Sequence, residues 1–308
     1  MPSEVKTAVL FPGQGSQLVG MGQDLYERYE EVRRMYELAS DVLKLNLSAV
    51  CFEGPDEQLA QTRITQPAIF VHSVAAWQLL RDRGFEPTVA AGHSLGEYSA
   101  LVASGFLDFE QGLELVALRG ELMQAAGEKA AGAMAAVIGM ADEDIVRICE
   151  DDGGVVVPAN FNAPGQVVIS GEVAAVERVM ASAKGAKARM VKKLNVSGAF
   201  HSPLMEYATE SMKEKLAGAR IAAGRIPLVA NVSAQCENDP ESVRDLLVRQ
   251  ITSPVRWTES IRAIIDTGVT SFVEVGPGNV LCGLMRRIER SASSTAVGKL
   301  DELEKFEL

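Results

Sequence analysis

The stretch GHSLGEYSALVASG, residues 92–105, sets a serine between two glycines in the pattern GxSxG and runs directly into helix-forming residues. A short strand of small residues, 88–91, leads into it. Strand, tight turn and helix in that order lift a serine hydroxyl above a sheet, and they aim the N–H of the next residue, Leu95, at a helix-start anion site. Gly92 and Gly96 leave room for so crowded a turn. Five residues alone arise by chance in many chains; the flanking elements make Ser94 a candidate nucleophile.

Outward from this turn the chain alternates strands with helices. Residues 7–11 (TAVLF) read as a first strand that ends in the glycine-rich FPGQGSQLVGMG, and amphipathic helices are expected over roughly residues 24–44 and 67–83. From about residue 132 the texture changes. MAAVIG, DEDIVRICEDD, VVVPANF, QVVISG, VAAVERVMASAK and ARMVKKLNV read in turn as strand, helix, strand pair around the turn NAPG, helix and strand. That order, βαββαβ, is the ferredoxin-like unit. A strand at PLVANV, helices near 241–251 and 257–267, the strand SFVEV and a helix after GPGN then restore the first rhythm. The expected fold class is therefore α/β with a mainly parallel sheet. A discontinuous large domain, 1–131 plus 197–308, is interrupted by a small ferredoxin-like domain, 132–196.

Bulk properties narrow the function. A chain of 308 residues with 47% hydrophobic residues and a mean hydropathy of +0.07 buries a substantial core. Its formal net charge of −11 argues against a nucleic-acid partner. No stretch has the roughly 18 apolar residues of a membrane span, and the start lacks the basic and apolar regions of a secretory signal. Cys51, Cys149, Cys236 and Cys282 are widely spaced, without a CxxC pair, so neither a zinc site nor a disulfide framework is expected. A reducing cytoplasm fits this usage.

A serine nucleophile needs a base, most often histidine, and the chain has three. His93 adjoins Ser94 and should point away from it. His72 lies in the mostly apolar helix QPAIFVHSVAAWQLL, where a packed histidine is the plainer reading. His201, in GAFHSPLM, remains: it sits in a loop just ahead of a helix capped by Ser202 and opened by Pro203. An oxyanion also needs donors, and FPGQGSQ, directly after the first strand, offers the N–H of Gln14. Its glycines fit neither a dinucleotide fingerprint nor a P-loop.

With FPGQGSQ, GHSLGEYSAL, GAFHSPLM and EVGPGNVLCGLMRRI in order, the chain resembles the malonyl-CoA:acyl carrier protein transacylases, acyltransferases of fatty acid and polyketide synthesis, from about Ala8 to Lys299. The resemblance implies an α/β-hydrolase-like large domain with an inserted ferredoxin-like small one. It implies that Ser94 is acylated, that His201 is its base, and that the N–H groups of Gln14 and Leu95 form the oxyanion hole. Arg119, in ELVALRGELM, matches the arginine that pairs with the free carboxylate of malonate. Gln250, in VRQITSPVRW, matches the residue whose carbonyl orients the histidine in place of a carboxylate. Phe200 matches the bulky residue of malonyl-selective relatives and should crowd an α-methyl group. Malonyl-CoA and acyl carrier protein are the implied partners, with no metal or cofactor and a monomeric chain.

Two other readings share these motifs. An esterase or thioesterase of the α/β-hydrolase type carries GxSxG with a Ser, Asp or Glu, His order, and acids are plentiful between Ser94 and His201. A catalytically silent carrier-binding subunit is the other, though Ser94, His201 and Arg119 are all present. A carrier protein, generally acidic, requires a local basic patch on this acidic chain. Lys184, Lys187, Arg189, Lys192 and Lys193 form the densest candidate, and Arg286, Arg287 and Arg290 the second.

Overall fold

The computed structural model of the chain describes residues 6–308. Its strands in chain order are β1 (Thr7–Phe11), β2 (Val89–Gly92), β3 (Gly132–Ile138), β4 (Val156–Ala163), β5 (Gln166–Glu172), β6 (Met190–Lys193), β7 (Leu228–Val229), β8 (Cys236–Glu237), β9 (Ser271–Val275) and β10 (Ser293–Val297). They form two sheets. A six-stranded sheet has the order β10-β9-β1-β2-β7-β8, parallel except where β8 returns against β7.

The apolar run of β1 is explained by its place at the centre of this sheet, covered on both faces. Val9 and Phe11 face a core with Phe70, Trp77 and Leu101, while Ala8 and Leu10 face a second core with Trp257, Ile261 and Leu284. The helix Thr62–Asp82 supplies much of the first core and is buried nearly all round. The helices Trp257–Asp266 and Val280–Ile288 cover the opposite face. No helix among the described residues is long and apolar enough to cross a membrane.

The second sheet is antiparallel, β4-β5-β3-β6. Both of its crossover helices, Asp142–Asp151 and Val173–Gly185, share one core with Val137, Val167 and Ile169. Met134 and Val168, on its other face, instead join the large core that contains Phe200. Backbone bonds between Phe161 and Val255 and between Val255 and Ala159 tie β4 to the segment after Gln250. The small sheet thereby closes over the carboxyl ends of β1 and β2, where open α/β sheets place their ligand crevices.

Several boundaries differ from the expected ones. The helix foreseen over 67–83 begins at Thr62 with Pro67 inside it, because tertiary burial outweighs the loss of one backbone bond near a helix start. The helix foreseen over 24–44 is two, Gln23–Arg28 and Glu30–Leu43, separated at Tyr29, whose backbone is extended. The chain after His201 first makes a 3-10 turn, Pro203–Ala208, and only then the helix Thr209–Gly218. β6 and β7 are shorter than their sequence runs. The edge strand β10 has no apolar signature because, apart from Val297, it is half-exposed or exposed.

Candidate active site

Ser94 stands at the end of β2, where the helix Gly96–Ser104 begins, with φ of 52° in the left-handed region that a serine rarely adopts. The flanking glycines make that possible. A Cβ on Gly92 would lie 1.9 Å from the carbonyl of Gly96, and one on Gly96 would lie 2.1 Å from the Phe11 carbonyl oxygen. Asn231 secures the turn from the β7 side: its Oδ1 accepts the Ser94 N–H at 2.7 Å and its Nδ2 donates to the Gly92 carbonyl at 2.7 Å.

The Ser94 hydroxyl meets the Nε2 of His201 at 2.7 Å. His201 too has a left-handed backbone, φ of 58°, ahead of a turn that Ser202 caps by accepting the Leu204 N–H. Close backing from glycines lets this loop approach: a Cβ on Gly127 would lie 2.1 Å from the Ser197 carbonyl oxygen. On its far side His201 Nδ1 donates to the Gln250 backbone carbonyl at 2.8 Å. A carbonyl only accepts, so Nδ1 carries the ring hydrogen and Nε2 presents its lone pair to the serine. Burial, reinforced by the Arg119 charge and opposed by the Gln250 carbonyl, pulls the imidazole down to about 3, so it is neutral at pH 7 and its Nε2 lone pair is free to receive a proton.

Arg119, on the helix Phe109–Lys129, is fully buried, and among the described residues it makes no ion pair. Gln66 Oε1 accepts from its Nη1 at 2.7 Å, Gln250 Oε1 from its Nη2 at 2.9 Å, and the Ser94 Oγ lies 3.1 Å from the same Nη2. Its Nε has no hydrogen-bond partner, and its guanidinium carbon lies 5.7 Å from the Tyr98 ring centroid. A buried cation held only by neutral oxygens is well matched to an incoming carboxylate.

Gln14, Leu95, Ser94, Arg119, Phe200 and His201 line one cleft of about 150 Å³. The N–H groups of Gln14 and Leu95 donate to no protein acceptor among the described residues, leaving both available to an anion. Larger hollows, such as one of about 400 Å³ beside His72, contain none of this machinery. His72 is buried, as its apolar helix suggested, and His93 turns from Ser94 to Asn162, its Nε2 lying 2.7 Å from Oδ1.

Each site residue named from sequence thus lies in this one place, Gln250 contributing its carbonyl and its side chain. Three neighbours had gone unnamed: Gln66, Asn231 and Glu97. Glu97 is buried under the elbow, where desolvation pushes its carboxyl up to about 7 against hydrogen bonds from Gln250 and Asn231 and the charge of Arg119. Its only sequence signal was an acid in the first turn of an otherwise apolar helix, a position equally suited to a plain helix-dipole contact.

Comparison with known proteins gives the family of the chain. The acyl transferase domain family matches residues 9–303. The malonyl CoA-acyl carrier protein transacylase of Bacillus subtilis (strain 168) is 42% identical over 302 residues, 97% of this chain and 95% of that protein. The enzyme of the same name from Escherichia coli (strain K12) is 44% identical over 295 residues, 95% of this chain and 96% of that one. Among solved structures, an acyl carrier protein S-malonyltransferase from Vibrio cholerae superposes with a TM-score of 0.93 at 47% identity, covering 97% of this chain and 99% of that one. A malonyl-transacylase in complex with its type II PKS acyl-carrier protein gives 0.94 at 44% identity, covering 97% and 98%. Matched from the third residue of β1 to the last helix and carrying a serine held at the end of a parallel strand, the chain belongs to the acyl transferase domain family.

Proposed function

We propose that the chain transfers the malonyl group of malonyl-CoA to the pantetheine thiol of an acyl carrier protein, through a malonyl-serine ester. The observation that carries this is the line Ser94–His201–Gln250 carbonyl with a buried, carboxylate-free arginine at its nucleophile end. Ser94 Oγ adds to the thioester carbon while His201 Nε2 takes its proton. The tetrahedral oxyanion is received by the N–H groups of Gln14 and Leu95. Collapse breaks the carbon–sulfur bond, and CoA leaves as a thiol with the proton held on His201. The carrier's thiol then gives its proton to His201, adds to the ester, and restores the serine. Arg119 pairs with the free malonyl carboxylate, and Phe200 crowds substituents on the α-carbon. In this reading the chain works as a cytoplasmic monomer and calls for no metal or cofactor.

An esterase reading is weakened by the partner of His201 Nδ1, which is a carbonyl where that reading requires a carboxylate. For the carrier, one residue of each basic cluster, Arg189 and Arg287, approaches the same hairpin turn. Gly139 adjoins Arg189 and donates its N–H to the Gly165 carbonyl, while Arg287 bonds to Gln166 and to the Pro164 carbonyl. The deciding experiment is intact mass spectrometry after mixing with malonyl-CoA alone. A malonyl increment on wild type that is absent from Ser94→Ala is expected; an increment that survives in Ser94→Ala defeats the assignment.

A further inference from the structure

Beneath the elbow lies a carboxylate that no step of the transfer uses. Glu97, in the first turn of the helix after Ser94, is 1% exposed and touches neither the nucleophile's oxygen nor its base. Its Oε2 accepts the Asn231 N–H at 3.0 Å and the Nε2 of Gln250 at 2.8 Å. The same Nε2 donates to the Ser94 carbonyl at 3.0 Å. The Gln250 amide therefore lies between an acceptor, Glu97, and a group that only donates, Arg119, whose Nη2 it receives on Oε1 at 2.9 Å. One sense of the amide satisfies both ends. The reversed sense faces NH₂ to guanidinium and oxygen to carboxylate, leaving buried groups without partners.

We propose that Glu97 is a positioning residue for acyl selectivity: its carboxylate sets the sense of the Gln250 amide, and that amide holds the Arg119 guanidinium in register with Ser94 Oγ. The inference rests on the malonyl-transfer reading above. Through Asn231, which staples Gly92 and Ser94, the same carboxylate also supports the elbow, so Glu97 reaches both halves of the site without touching the acyl group. Its carboxyl oxygen is an acceptor placed at the remove of one amide from a guanidinium that has no ion pair among the described residues.

The test is the ratio of kcat/KM for malonyl-CoA to that for acetyl-CoA, measured per active site, in Glu97→Leu, Gln250→Met and the double variant. Both acyl groups are measured on the same molecules, so a general loss of rate in any variant, Gln250→Met included, lowers both values and cancels from the ratio. Misplacing the guanidinium should lower the ratio about 10- to 100-fold in each single variant. The double variant should fall no further than the worse single one, because both remove the same link. Glu97→Gln, whose Oε1 still accepts both N–H groups, should hold the ratio near wild type. A merely structural Glu97 lowers the active fraction and the melting temperature but leaves the per-site ratio unchanged; that result, or additive losses, overturns the proposal. Should Glu97→Leu fail to fold, an unchanged ratio in Gln250→Met overturns it equally. A wild-type protein that does not favour malonyl over acetyl defeats the functional reading itself, whereas a selective wild type with equally selective variants defeats this inference alone.

Discussion

Arg119→Ala separates the two acyl groups most sharply. The guanidinium is fully buried and spends its hydrogen bonds on Gln66, Gln250 and the Ser94 hydroxyl, at 2.7, 2.9 and 3.1 Å. A malonyl carboxylate exchanges neutral acceptors for a charged one, and hydrogen bonds to charged groups are worth about 1.5–3 kcal/mol each. Two of them at the low end, since the glutamines compete for the same donors, give about 3 kcal/mol, or roughly a hundredfold in malonyl kcat/KM. An acetyl group makes no such pair. It loses only the shared contact between Arg119 and Ser94, which affects both acyl groups and cancels from their ratio. The assay is kcat/KM for acyl-serine formation from malonyl-CoA and acetyl-CoA, normalised to the acylatable fraction. Two amide oxygens, on Gln66 and Gln250, lose a donor in the variant, so a lowered melting temperature is expected alongside. Equal losses for malonyl and acetyl refute the reasoning and make Arg119 a structural residue.

Other consequences are as direct. His201→Ala should abolish most acylation, whereas His72→Ala should leave the rate per folded molecule near wild type; equal losses would mean that the wrong imidazole had been assigned. Because burial holds His201 down to about 3, acylation should show no loss from its protonation between pH 8 and pH 5, read as a flat pre-steady-state rate. Burial also lowers His72, to about 4. The unfolded chain then binds the extra proton first, so the His72 contribution is present above pH 6.5 and is lost as pH falls toward 4. Between pH 7 and pH 5 this amounts to about 2 kcal/mol, and denaturant melts of His72→Phe should show that much less acid destabilisation than wild type. Reversing charge at Lys184 and Lys192 should raise KM for the carrier protein and flatten its salt dependence while sparing the malonyl-CoA half-reaction. Unchanged carrier kinetics there and in Arg286→Glu/Arg290→Glu would move the docking surface elsewhere.

By itself the sequence determined what local rules govern. Alternation of apolar strands with amphipathic helices decided the α/β class, and the βαββαβ order marked the inserted unit. Ser94 was legible because glycines on both sides of a serine, between a strand and a helix, have one strong structural use. His201 followed from there being only three histidines to weigh. Gln14 and Leu95 were legible as backbone donors from the glycine-rich loop after the first strand and from the turn itself, whereas Arg119, Gln250 and Phe200 were legible only through resemblance to a family, since an arginine inside a helix or a glutamine at a helix end carries no chemistry of its own. What the tertiary structure alone decided is which groups hold those residues in place. Asn231 reaches the Ser94 N–H from 137 positions away, and Gln250 reaches Glu97 from 153. Neither distance leaves a periodicity or a spacing to read. Such bonds depend on where β7 and the helix Pro240–Gln250 come to lie beside the elbow, and burial then makes each amide's orientation obligatory, because a polar group shut away from water must find its partner across the fold.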